Sequence, residues 1–373
     1  MTTITTAIMP GDPRENAMHS SFTSNWKRSL KRLCGLTAAL ALTSLPGAVL
    51  AQQLEGTLLV ANRSGGSVSF FDLTTGIEMA RLPIGPVIPH EIAVSPDGRW
   101  ALTGEYGPGD NRGRHVIVID VVNARIAGRI DVGPDSRPHS MMFLPDSRRA
   151  VATMEDSDRI ALLDVVDLEV VRTWPTGGRE GHMVRLSPDG TRAYVTSRGA
   201  EGTLSVISLD GDAEPQVIAA DMGAEGLAVT PDGGEVWVVN RTIGTISVVD
   251  TGTLSVVATL DARPGAGRAE ISASGRALVP NGSGGEETAK YLTLYDAASR
   301  DVIGELAMND GRPGAGAFGI HVVGETAFVA DRSEQSISIY DLDNFPAAQM
   351  LASDLPNPDG LGYSPLRLAV FSR

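Results

Sequence analysis

The chain has 373 residues, of which 42% are hydrophobic and 20% charged, and a formal net charge of −14 at neutral pH. That balance belongs to a folded globular protein and excludes disorder as the default. The acidic excess repels polyphosphate, so general nucleic-acid binding is disfavoured unless basic residues gather on one face, and an aromatic content of 5% argues against a base- or sugar-stacking platform.

The first segment reads as an export signal. Lys27, Arg28, Lys31 and Arg32 form a basic region, an apolar run follows at residues 33–45, and Val49-Leu50-Ala51 offers small residues at a cleavage site. Cleavage is expected after Ala51, leaving residues 52–373 as a single domain in the periplasm or secreted. A start at Met18 gives a more usual signal length, and both starts stay open. The apolar run is too short for a membrane span, and no later stretch reaches the length that crossing requires. The only cysteine, Cys34, lies in the removed segment, so the mature chain is expected to have no disulfide and no thiolate metal site.

Beyond residue 52 the sequence repeats. Val94-Ser95-Pro96-Asp97-Gly98, Leu144-Pro145-Asp146-Ser147, Leu186-Ser187-Pro188-Asp189-Gly190 and Val229-Thr230-Pro231-Asp232-Gly233 are copies of one turn, with weaker versions at Ile271-Ser272-Ala273-Ser274-Gly275 and Val323-Gly324-Glu325. β-rich runs follow the turn, such as Ala193-Tyr194-Val195-Thr196-Ser197 and Val236-Trp237-Val238-Val239-Asn240. A second run alternates with the strand period of two, as in Thr245-Ile246-Ser247-Val248-Val249. Next comes Asp72, Asp120, Asp164, Asp250, Asp296 or Asp341, with Ser208 in the odd repeat. Short Asp side chains bond nearby backbone N–H groups at tight turns, so a turn role accounts for them.

A fourth strand completes each unit, and four antiparallel strands at this period make a propeller blade. Second strands end near Asn62, Glu105, Met154, Ser197, Asn240, Asn281 and Asp331, which predicts an all-β, seven-bladed β-propeller. The mature chain opens directly on a second strand, and Arg367-Leu368-Ala369-Val370-Phe371 has the pattern of an inner strand. The two termini are therefore expected to share one blade and close the ring without an exposed sheet edge.

These units resemble the YVTN β-propeller repeat family, whose tetrad stands here as Tyr194-Val195-Thr196-Ser197 and Trp237-Val238-Val239-Asn240. The resemblance covers essentially the whole mature chain. It implies the fold and leaves the function open, because the family includes surface-layer, periplasmic, DNA-binding and cofactor-associated members.

Loops alternate between the two faces of such a ring, which places two residue sets at one channel mouth. His90, His139 and His182 each stand six residues before a repeat proline, and Glu225, Gly267 and Phe318 follow at the same place in later repeats. Arg63, Arg198, Arg241 and Arg332 each follow a tetrad, and the entering loops add Arg137, Arg179, Arg263, Arg268 and Arg312. Guanidinium groups around a concave mouth suit a small anion. Neutral imidazoles beside them suit general acid/base chemistry or a divalent transition metal, with Glu225, Glu105 or Glu180 as the carboxylate. Two plainer roles stay open: the histidines can hold loops by bonding backbone groups, and the arginines can pair with neighbouring Asp and Glu.

His115 and His321 fall outside this position and are expected in core or surface roles, while the insertion at residues 107–114 reaches the same face as the histidines. The sequence has no P-loop, Gly-x-Ser-x-Gly, His-Glu-x-x-His or Cys-x-x-Cys-His motif. The expected function is an exported binding module whose Arg/His-lined mouth takes a small anion, a metal ion or a periplasmic partner protein. The alternative is a metal-assisted hydrolase, lyase or oxidoreductase acting on an anionic small molecule through the histidine trio.

Overall fold

A computed structural model describes residues 54–107, 112–134, 136–282, 290–308 and 316–369. The signal segment with its cleavage site, Arg312 and the tip of the insertion at residues 107–114 lie outside these. No helix among the described residues is long and apolar enough to cross a membrane.

Among the described residues, twenty-eight strands, from β1 (Thr57–Asn62) to β28 (Pro358–Ser364), form seven four-stranded antiparallel sheets. Each sheet is a blade whose second and third strands are buried almost throughout, as in Glu235–Asn240 and Thr245–Asp250. The outermost strand alternates between exposed and half-buried residues, as in Ile77–Pro83. Seven apolar clusters hold the ring together, and most draw side chains from two adjacent blades. Trp237, wholly buried, meets Tyr295 of the next blade edge-on at 6.0 Å. Blade-to-blade burial of this kind makes the ring a single packed body.

The termini do share a blade. β28 is the inner strand, pairing with β1 from Thr57↔Ser364 to Asn62↔Pro358. The expected segment was Arg367–Phe371, and the structure corrects it: the inner strand lies nine residues earlier, and Arg367, Leu368 and Ala369 run outside the sheet. There Leu368 packs against a cluster shared by the first and second blades, and Ala369 donates its N–H to Val122 O at 2.8 Å.

The repeat turns work as their composition predicts. Ser187 Oγ donates to Asp189 Oδ1 at 2.5 Å, which also accepts the Thr191 N–H at 3.0 Å, and Thr230 with Asp232 repeats the pattern. The Ser187 hydroxyl, then the Thr191 N–H, hold the Asp189 carboxyl at about 2, below its usual 3.8. A carboxyl that binds its proton less tightly folded than unfolded stabilises the fold above about pH 4, and the contribution disappears as pH falls toward 2. The melting-temperature difference between wild type and Asp189→Asn is therefore expected to be largest near neutrality and to shrink at pH 2.

Candidate functional site

Five of the seven inner strands, those of the first, third, fourth, fifth and seventh blades, enter the sheet through an irregularity. Register shifts between Pro138 and Met141 and between Gly181 and Val184 leave two inner-strand residues unpaired, and those between Ala224 and Gly226 and between Ala317 and Gly319 leave one. A bulge re-aims the side chain it carries. Counted back from the paired second residue of each second strand, the equivalent residues around the ring are Asp359, His90, His139, His182, Glu225, Gly267 and Phe318.

The tetrad threonines hold this tier. Thr153 Oγ1 accepts the Ser140 N–H at 2.9 Å and donates to His182 O of the next blade at 2.8 Å. Thr196 does the same between the Met183 N–H and Glu225 O, at 3.2 and 2.6 Å. One hydroxyl thus satisfies a backbone group freed by the bulge and clips two blades together. On the far side, glycine allows the inner strands to approach: a Cβ on Gly319 would lie 1.8 Å from Asp359 O, and one on Gly360 would lie 2.5 Å from His90 O.

The three histidines converge. His90 and His139 meet edge-on with ring centres 4.6 Å apart, and His139 stacks on His182 at 3.9 Å. All three are buried, His139 completely. Tyr106, from the loop after the second strand of the His90 blade, caps His90 and His139 at 5.1 Å and carries the Arg137 guanidinium on its other side at 4.0 Å. His139 Nδ1 lies 3.1 Å from His182 O. A carbonyl can only accept, so Nδ1 holds the proton and Nε2 is left with a lone pair. That Nε2 is buried without a hydrogen-bond partner. Burial, and then the charges of His182, His90, Arg268 and Arg198, keep the ring neutral by lowering its pKa well below 6.5.

Carboxylates surround the imidazoles. His182 stands between Glu155, with Nδ1 to Oε2 at 3.2 Å, and Glu225, with Nε2 to Oε1 at 3.5 Å. His90 Nδ1 is 2.5 Å from Asp359 Oδ2 and 3.8 Å from Glu91 Oε1. Burial raises the proton affinity of Glu225, but His182, Arg268 and Arg241 outweigh it and hold the carboxyl well below its usual range. At Glu155 burial is likewise outweighed by His182, Arg198 and Arg137, which lower the carboxyl, and at buried Asp359 by His90 and Arg332, which hold it well below its usual range. Two groups of ligand atoms, His90 with Glu91 and His139, and His139 with Glu155 and His182, lie within 4.8 Å of one another and share His139. Both combine imidazole with carboxylate, a donor set suited to borderline divalent transition metals.

The four arginines expected at an anion site reach the same mouth, and each faces a carboxylate of the protein. Arg332 and Arg63 hold Asp359 at 2.5 and 3.6 Å. Arg198 bonds Glu155 and lies 3.9 Å from Glu225, while Arg241 donates to Glu225 at 3.1 Å. Arg268 follows the glycine of the tier. Its buried guanidinium crosses the channel to Glu91 and lies over the Phe318 ring at 4.6 Å.

Three carboxylates beside the histidines were not singled out by the sequence reading: Glu155, Glu91 and Asp359. Glu155 occupies in the third blade the post-tetrad position that Arg198 has in the fourth, so its place was readable. Asp359 was hidden by the misassigned closing strand. Glu105 and Glu180 are not part of the tier: Glu105 pairs with His115 at 2.8 Å, and Glu180 is exposed 4.0 Å from Arg198.

No family model matches the chain, and no curated relative does. Among solved structures, the chain is similar to Kuenenia stuttgartiensis hydrazine synthase, 20% identical over 68% of this chain and 77% of that one with a TM-score of 0.59. It is also similar to a functionally unknown protein from Desulfotomaculum acetoxidans DSM 771, 14% identical over 84% of this chain and 100% of that one with a TM-score of 0.65. At such identities the likeness is one of fold, and the chain is a seven-bladed β-propeller with buried His and Glu groups that can hold a metal ion.

Proposed function

We propose that the protein is an exported YVTN-type propeller, periplasmic or secreted, whose channel mouth binds one divalent transition metal ion through the histidine tier. The observation that carries this reading is His139 Nε2, a buried lone pair with no hydrogen-bond partner beside two further imidazoles and two carboxylates. Leaving such an acceptor without a partner is costly, and a cation is the partner whose charge the neighbouring carboxylates favour. The arginines supply the opposite charge that keeps those carboxylates ionised, which makes a free anion a weaker candidate for the same place. The tetrad threonines acting as blade clips support the YVTN resemblance.

The test is elemental analysis of protein recovered from its native compartment without chelator. One equivalent of metal per chain is expected, absent from the His90→Ala/His139→Ala/His182→Ala variant, with a mature N-terminus at Gln52. Protein that arrives metal-free and takes up neither Zn2+ nor Ni2+ on dialysis overturns the proposal.

A further inference from the structure

Below the histidine tier the channel opens into a second space. A cavity of about 450 Å3 runs from the level of Glu91, Ser140 and Arg268 to the exposed turn prolines Pro96, Pro188 and Pro231. It therefore opens on the face opposite the histidines, and the Arg268–Glu91 bridge closes its inner end. The volume lies within the range of about 300–1,000 Å3 usual for small-molecule sites.

Its walls follow from the repeat. Three residues beyond the histidine tier, six of the seven inner strands place another side chain along the cavity, and the first blade has Gly362 there. Here blades four, six and seven carry Arg185, Glu270 and His321, whereas blades two and five carry Ala93 and Ala228 and blade three carries Met142. The small Ala228 lets Arg185 reach past it to Glu270, with Nη2 to Oε1 at 3.3 Å. The second oxygen of Glu270 accepts the Val322 N–H at 2.7 Å and faces His321 Nδ1 at 3.7 Å. A carboxylate beside Nδ1 favours the proton there, which turns the Nε2 lone pair of the half-buried His321 away from Glu270. The opposite wall, from Ile92 and Val94 to Leu361, is apolar. Charges are matched within the cavity: Arg185 answers Glu270, and Arg268 answers Glu91.

We propose that this lower cavity is a binding site for a small uncharged amphipathic molecule, an aromatic or alicyclic body presenting one hydroxyl or N–H group to His321. The paired ions leave no net charge to attract a charged ligand, and displacing either pair would strand its partner in a half-buried place. The apolar wall and the alanine positions supply the room for a ring system, and His321 supplies a single directional acceptor. The site shares Glu91 with the proposed metal ligands, and binding in it needs no metal ion.

The probe is 2-naphthol, compared with 2-naphthoate and 2-naphthylmethylammonium by calorimetry on the full mature chain in EDTA. Binding of 2-naphthol at least ten-fold tighter than either charged analogue is expected. A comparable loss is expected in Ala93→Phe and in Met142→Trp, two separate ways of filling the cavity, each checked for a cooperative melt. His321→Ala is expected to weaken 2-naphthol several-fold. Absence of 2-naphthol binding at millimolar concentration, equal or tighter binding of a charged analogue, or unchanged binding in whichever filled variant folds would overturn the proposal.

Discussion

Asp359→Ala is expected to cost about 3–5 kcal/mol of folding stability, the range for removing one partner of a buried ion pair. The carboxylate is 1% exposed and faces three groups at once: Arg332 at 2.5 Å, Arg63 at 3.6 Å and His90 at 2.5 Å. Arg332 is mostly buried, with its guanidinium packed 3.6 Å over the Phe318 ring, so water can replace the lost carboxylate only in part. Nor can the neighbouring backbone collapse into the vacated space, since Gly319 and Gly360 already bring adjacent inner strands to their closest approach. Asp359→Asn retains an oxygen for Arg332 and is expected to cost clearly less. Urea unfolding in EDTA reads both variants without a contribution from bound metal. A loss below about 1 kcal/mol for Asp359→Ala would mean that the arginines are effectively solvated and that the carboxylate does little to hold the closing strand.

The same residue shows where sequence legibility ends. Four of the repeat turns announce themselves as Pro-Asp with Gly or Ser, and counting from them placed His90, His139, His182 and Glu225 in one tier, where the structure has them. Pro358-Asp359-Gly360 has that turn composition too, yet it begins an inner strand. Nothing local separates the two, because the choice is made by pairing with β1 some three hundred residues away, where Leu361 enters a cluster with Leu58 and Phe328. Residues 367–371 have strand-like alternation, but the described ones, Arg367, Leu368 and Ala369, lie outside the sheet. The arginines were legible as positions and illegible as interactions. Their partners sit 43 residues away for Arg198 with Glu155 and 27 for Arg332 with Asp359, on neighbouring blades. A repeat pattern fixes which slot a residue occupies, while the charge in the adjoining slot depends on how the ring closes.

Ring closure itself is the other large effect. Deleting residues 358–373 is expected to abolish cooperative folding, whereas a chain ending at Leu366 is expected to fold with a modestly lower melting temperature. The longer deletion removes the inner strand of the first blade, leaves β1 as an unpaired edge beside an opened channel, and takes Asp359 from Arg63, Arg332 and His90. The shorter one keeps every β1–β28 pair and the bond from Thr57 Oγ1 to Leu366 O at 2.8 Å, and among the described residues it loses the contacts of Arg367, Leu368 and Ala369. A permuted chain in which residues 358–366 precede residue 54 supplies the discriminating case. Thr57 and Ser364 already lie opposite each other, so a short turn can join the two strands as it does in the other blades. Recovery of a single sharp thermal transition in that permutant would show that the closing strand acts through its pairing alone. Failure of the permutant, with the Leu366-terminated chain intact, would show that folding also requires the ring to be closed by strands from opposite ends of the chain.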